Sequence, residues 1–291
     1  MMKLRKLMFV LPNLFTVTSI FCGFYAITLC SGEAGPVQFY QAALAIFFAM
    51  FFDGFDGRVA RLTKTQSDFG VQLDSLADVI SFGAAPGLLV YKWALAPLGF
   101  AGLFISFAFA ACGALRLARF NVLAARNPHG GGGRFFVGLP IPIAAGMLVS
   151  VIISHHAAAG GEPLAAAAAV PMAVAVAALS LLMVSTVRYR TFKDARPNRK
   201  SALAFMLMVL GGVVIATQFH PAWVLVACCG AYLALGLVES AVQVRSHLVA
   251  RKVASGAVAA VAVASVIDDE DEEDEDSEAE AGPGNDGPAY L

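Results

Sequence analysis

Uncharged runs long enough to cross a bilayer recur along this chain, and nothing constrains its fold more. No Asp, Glu, Lys or Arg occurs in 13–31, in 165–187 or in 201–238. A helix of about 20 apolar residues matches the hydrocarbon thickness, with about 17 to 25 tolerated. Within that layer, backbone N–H and C=O groups can pair only inside a helix or a closed barrel. The sequence is 58% hydrophobic and 14% charged, which excludes a soluble globule. It predicts an all-α integral membrane protein of about eight spans. These fall near 13–31, 37–56, 70–95, 99–120, 136–155, 165–186, 201–218 and 222–243. A short basic-apolar helix at the membrane surface is expected over 2–11, and a glycine-rich loop over 127–133. The first span is expected to stay uncleaved.

Loop charges set the orientation, because Lys and Arg collect on the cytoplasmic side. Threading eight spans from a cytoplasmic N-terminus puts Lys3, Arg5 and Lys6 inside, and likewise Arg58, Arg61 and Lys64. Arg116, Arg119, Arg126, Arg134, the 188–200 cluster, Arg245, Arg251 and Lys252 fall inside too. Lys92 alone falls outside, beside Tyr91 and Trp93, and His155 and His156 are expected in an outer loop. A multi-pass protein of the inner membrane with both termini in the cytoplasm follows.

Acid is distributed very unevenly. Eleven of the 21 acidic residues lie in 268–280, and Asp286 lies beyond them. The sequence therefore divides into a membrane-embedded part, 1–250, and an Ala/Val-rich linker with a disordered acidic tail, 251–291. Nine acids remain, and five of those fall in 53–78. The five cysteines show no metal-ligand spacing, so they read as packing residues. No nucleic-acid partner is expected.

Carboxylates beside apolar spans are costly to bury and point to function. Asp53 and Asp56 are three apart, and Asp74 and Asp78 four apart, so each pair shares one helix face. Four such side chains form a hard-oxygen cage suited to Mg²⁺ or Mn²⁺. Two ions would be held by Asp53, Asp56 and Asp74, with Asp78 at the edge. Gly57 and Gly70 leave room for a nucleotide to approach the backbone, and Arg61 can fork onto a phosphate. Asp68 is expected to be a solvated loop residue. Arg116 and Arg119, three apart on a helix end, suit either a bidentate grip on a carboxylate or anchoring of the span at lipid phosphates, with Asn121 as a weaker binding candidate. Glu239 is expected to pair with a nearby base.

The complete pattern D-x2-D-G-x2-A-R-x8-G-x3-D-x3-D resembles the signature of the CDP-alcohol phosphatidyltransferases. That resemblance implies a CDP-diacylglycerol donor, two divalent ions on the aspartates, and Asp78 as general base. Gly57, Ala60, Arg61 and Gly70 would contact the CDP moiety, and a homodimer would be expected. Leu11-Pro12-Asn13-Leu14-Phe15-Thr16, Ser81-Phe82-Gly83, the stretch 113–121 and Phe136-Val137-Gly138-Leu139-Pro140 are similar to serine-accepting members. They imply L-serine as acceptor, with phosphatidylserine and CMP as products. Two alternatives stay open: another acceptor such as glycerol phosphate or an inositol phosphate, or a cation transporter whose carboxylates line an ion path.

Overall fold

The computed structural model describes residues 2–63, 65, 67–126, 135–160 and 164–190, and the helical positions Trp223, Val226, Ala227, Gly230, Ala231 and Ala234. Among these residues, six helical stretches are long and apolar enough to cross a membrane. They are Asn13–Ser31, Pro36–Thr63, Asp68–Leu98, Phe100–Arg126, Ile141–Ala158 and Ala166–Val184. The protein is a multi-pass membrane protein. The expected seventh span, Glu239 and the acidic tail with its boundary near 250 lie outside the described residues. The expected eighth span is met only at the isolated helical positions just named.

The first helix, α1 (Met2–Ser31), and the second, α2 (Pro36–Thr63), run side by side. The separate surface helix expected over 2–11 is instead the unbroken start of α1. The third span begins as α3 (Asp68–Asp78), passes through a π-helical stretch at Val79–Ala84, and continues as α4 (Ala85–Val90). A second π-helical stretch follows at Tyr91–Leu95. Proline accounts for both. It has no N–H, and its ring clashes with the carbonyl four residues back. For Pro86 and Pro97 those carbonyls belong to Phe82 and Trp93, each inside a π stretch. There the bonds lengthen by one residue: the N–H of Ala85 donates to Ile80 and that of Ala96 to Tyr91.

The remaining helices are α5 (Phe100–Arg126), α6 (Ile141–Ala158) and α7 (Ala169–Val184). Small residues let the helices approach closely, as lipid-embedded bundles require. Ala42, Ala43, Ala45 and Ala49 of α2 are buried. At Gly23 a Cβ would lie 2.7 Å from the Ser81 Cα, so α1 rests directly on the first π stretch. The Ser81 hydroxyl fixes that crossing by donating to the Ser19 carbonyl at 2.9 Å. Phe21, Phe24, Phe48, Phe51, Phe104 and Phe107 face outward, the arrangement expected when lipid is the solvent.

The all-α expectation holds apart from one small ribbon. β1 (Phe135–Val137) pairs antiparallel with β2 (Arg188–Arg190), Phe136 opposite Tyr189. The fifth span was expected from 136, but Phe136 and Val137 lie in β1 and the helix starts at Ile141, after Pro140. Gly138 makes the turn at φ 80°, where the Met183 carbonyl leaves no space for a Cβ. His155 and His156 occupy the last turn of α6 rather than a loop.

Candidate active site

Two helices carry the aspartates to one place. α2 runs on past residue 56, where the sequence ruler ended it, to Thr63, so Asp53 and Asp56 sit within its C-terminal half. The chain turns where the Thr65 N–H meets the Ala60 carbonyl at 3.0 Å. Ser67 then caps α3, its hydroxyl accepting from the Gly70 N–H at 3.1 Å. Asp68 is the first residue of α3 rather than a loop residue. Asp74 and Asp78 follow on the same helix, which packs against α1.

Asp53, Asp56 and Asp74 each offer a carboxylate oxygen within 4.8 Å of the others. Asp53 also interacts electrostatically with Asp74 and Asp78. Asp56 is only 6% exposed, and its Oδ2 accepts from the Thr16 hydroxyl of α1 at 2.7 Å. Asp78 is 9% exposed, and its Oδ1 is enclosed without a hydrogen-bond partner. Three converging carboxylates form an oxygen-only donor set, which fits a hard divalent cation. Asp53, Asp56 and Asp74 are the residues that could hold it, with Asp78 beside them.

A cavity of about 450 Å³ opens next to this cluster. Gly57, Ala60, Arg61 and Gly70 line it together with Asp56 and Asp74. A Cβ on Gly70 would come within 3.2 Å of the Ser67 Oγ and 3.7 Å of the Asn13 Oδ1, closing part of the space. Asp68 also lines the cavity and is exposed there, as the solvated role expected for it requires.

The three acceptor candidates separate. Arg116 is 8% exposed, and its positive charge acts on Asp78. Arg119 is exposed and reaches the other way, donating to the Val184 carbonyl at 3.3 Å, so the two arginines do not form one clamp. Asn121 donates to the Ser75 hydroxyl at 2.9 Å, tying α5 to α3 between Asp74 and Asp78.

Asn13, Thr16, Thr65 and Ser67 also line the cavity, and the aspartate motif gives no sign of them. The available signal was the spacing of Asn13 and Thr16, polar side chains three apart at the start of an otherwise apolar span. Thr16→Val removes the hydroxyl held by Asp56 while keeping the side chain's shape. Divalent-ion affinity should fall about 10- to 100-fold, as for other outer partners of metal ligands. Titration of the purified protein with Mn²⁺ checks this.

Fold and site together define a class: a multi-pass membrane protein with an acidic, cation-competent centre beside a polar cavity. Residues 9–186 match the family model for CDP-alcohol phosphatidyltransferase. The chain is 35% identical over 236 residues to a CDP-diacylglycerol–serine O-phosphatidyltransferase of Helicobacter pylori, covering 80% of this chain and 91% of that one. It is 34% identical over 183 residues to the Bacillus subtilis protein of the same name, covering 63% and 91%. An archaetidylserine synthase of Methanothermobacter thermautotrophicus is 36% identical over 181 residues, covering 62% and 69%. The chain belongs to the CDP-alcohol phosphatidyltransferase family and is a transferase.

Proposed function

We propose that this enzyme transfers a phosphatidyl group from CDP-diacylglycerol to L-serine, giving phosphatidylserine and CMP. The observation that carries this reading is the convergence of Asp53, Asp56, Asp74 and Asp78 beside a cavity lined by Gly57, Ala60, Arg61 and Gly70. Relatives from bacteria and an archaeon named for serine transfer support the choice of acceptor.

The donor's acyl chains would remain in the bilayer while its head group enters the cavity. Gly57 and Gly70 let the nucleotide approach the backbone, Ala60 lies on the same wall, and Arg61 forks onto a phosphate. Arg116 pairs with the serine carboxylate, and Asn121 holds α5 against α3 around it. Asp78 takes the proton from the serine hydroxyl. The freed oxygen attacks the phosphorus that carries diacylglycerol, a new P–O bond forms, and the bond to the CMP oxygen breaks. CMP departs with the bonding electrons. Asp53, Asp56 and Asp74, with Asp78 at the edge, would hold two Mg²⁺ or Mn²⁺ ions, which would neutralise charge on the phosphate oxygens. In the cell, the site faces the cytoplasm from the inner membrane, both termini lie on that side, and the protein is a homodimer. Residues 1–250 are the catalytic part, and 251–291 are a linker with an acidic tail.

A panel of acceptors tests the assignment. Purified protein with CDP-diacylglycerol and Mn²⁺ should release CMP with L-serine and not with glycerol phosphate or inositol phosphate. Release with a phosphorylated acceptor alone would move the enzyme to another branch of the family. Absence of CMP release with every acceptor would reopen the transporter reading.

A further inference from the structure

A second cavity, of about 380 Å³, lies at the other end of the bundle. Pro36, which opens α2, lines it, while the aspartates lie toward the opposite end of the same helix. At 1.5 Å per residue, the 17 residues from Pro36 to Asp53 separate the two regions by roughly 25 Å. This cavity therefore takes no part in the transfer chemistry.

Its lining brings three separate elements together. Pro36 and Phe39 come from the start of α2 with Gly35 just before it, Lys92 and Trp93 from the second π stretch, and His155 and His156 from the last turn of α6. Among the described lining residues, the side chains suited to charge or hydrogen bonding are Lys92, the Trp93 indole and two imidazoles, and none is acidic. The N-terminus of a 28-residue helix adds the positive end of its dipole at the same wall. Rings hold the imidazoles in place. His156 stacks on Tyr40 with centroids 4.4 Å apart, and His155 meets Trp93 edge to face at 5.4 Å. Stacking occupies the face of the His156 ring and leaves its edge, where a neutral imidazole carries one N–H donor. Tyr40, Tyr91 and Trp93 are aromatic residues of the type that settle at a membrane–water interface, the depth of lipid phosphates.

We propose that this cavity binds a phosphate-ester or phosphate anion, as the head group of a phospholipid or as a soluble phosphate, with Lys92 as its cation and His155 and His156 as hydrogen-bond donors. The site is separate from the donor and acceptor sites of the transferase reading, and its ligand class rests on the lining residues alone.

Melting of delipidated protein in neutral detergent provides the test, with phosphatidylglycerol and inorganic phosphate as separate probes. Wild-type protein should melt higher with one or both. Lys92→Gln should bind the stabilising probe about tenfold or more weakly, the loss of one charge-assisted contact. His155→Gln combined with His156→Gln should weaken it further. A shift with phosphatidylglycerol alone identifies a lipid head group, and a shift with phosphate alone a soluble ligand. All variants should release CMP at the wild-type rate, which separates loss of this site from loss of fold or of the transferase reading. A wild-type protein insensitive to both probes, or a Lys92→Gln variant that responds as wild type does, overturns the proposal.

Discussion

Asp78→Asn should slow CMP release by about a hundredfold to ten-thousandfold, the usual worth of a positioned general base. The substitution keeps the size of the side chain and removes its ability to take a proton. The surroundings make Asp78 a better base candidate than its neighbours. It is 9% exposed, its Oδ1 has no hydrogen-bond partner, and the positive charge of Arg116 acts on it. By contrast, Asp56 already accepts from Thr16, and Asp53, Asp56 and Asp74 form the tightest oxygen cluster. Donor binding should survive, because Asp78 is not among the residues lining the cavity beside the cluster. Single-turnover CMP release alongside equilibrium binding of CDP-diacylglycerol separates the two effects. An Asn variant that turns over like wild type would remove Asp78 from the chemistry.

The apolar runs and the aspartate spacing carried most of this structure in the sequence. All six described spans overlap their expected ranges; the second and fourth run on past their expected ends, and the fifth starts late for a local reason: Gly138 and Pro140 turn the chain before helix can begin. Hydropathy placed the end of the second span at 56 because polar residues begin there. The α2 backbone does not depend on lipid, and it winds on to Thr63 through Gly57 and Arg61. That extension matters, since it sets Gly57, Ala60 and Arg61 on the helix wall facing the cavity. Spacing within a motif reports which residues share a face, so the four aspartates were legible. It cannot report what a distant helix brings. Thr16, 40 residues from Asp56, and Ser75, 46 residues from Asn121, meet their partners only through tertiary packing. Arg116 and Arg119 show the limit from the other side. Three residues apart on one helix, they still diverge, because the end of α7 offers Arg119 a free carbonyl while Arg116 is enclosed near Asp78.

Asp74→Asn should make the protein more resistant to heat in chelator while removing its response to divalent ions. Three carboxylates with oxygens within 4.8 Å of one another repel when ionised. At an effective dielectric of about 20, such a pair of charges interacts by roughly 3 kcal/mol before solvent and protonation reduce it. A cation bound at the centre would offset that repulsion by turning each carboxylate into a ligand. A ligand present at about 100 times its Kd stabilises a protein by about 2.7 kcal/mol. For a chain of this size that is a rise in melting temperature of about 5–10 °C. Wild-type protein should therefore melt lowest with chelator and gain that increment with Mn²⁺ or Mg²⁺. The Asn variant should start higher, gain little, and release CMP at least about 100-fold more slowly, as when one stabilising contact to developing charge is lost. Opposite movement of stability and activity is what distinguishes a metal centre from a structural cluster. In a cluster that serves only packing, Asp74→Asn would leave both the ion response and turnover close to wild type.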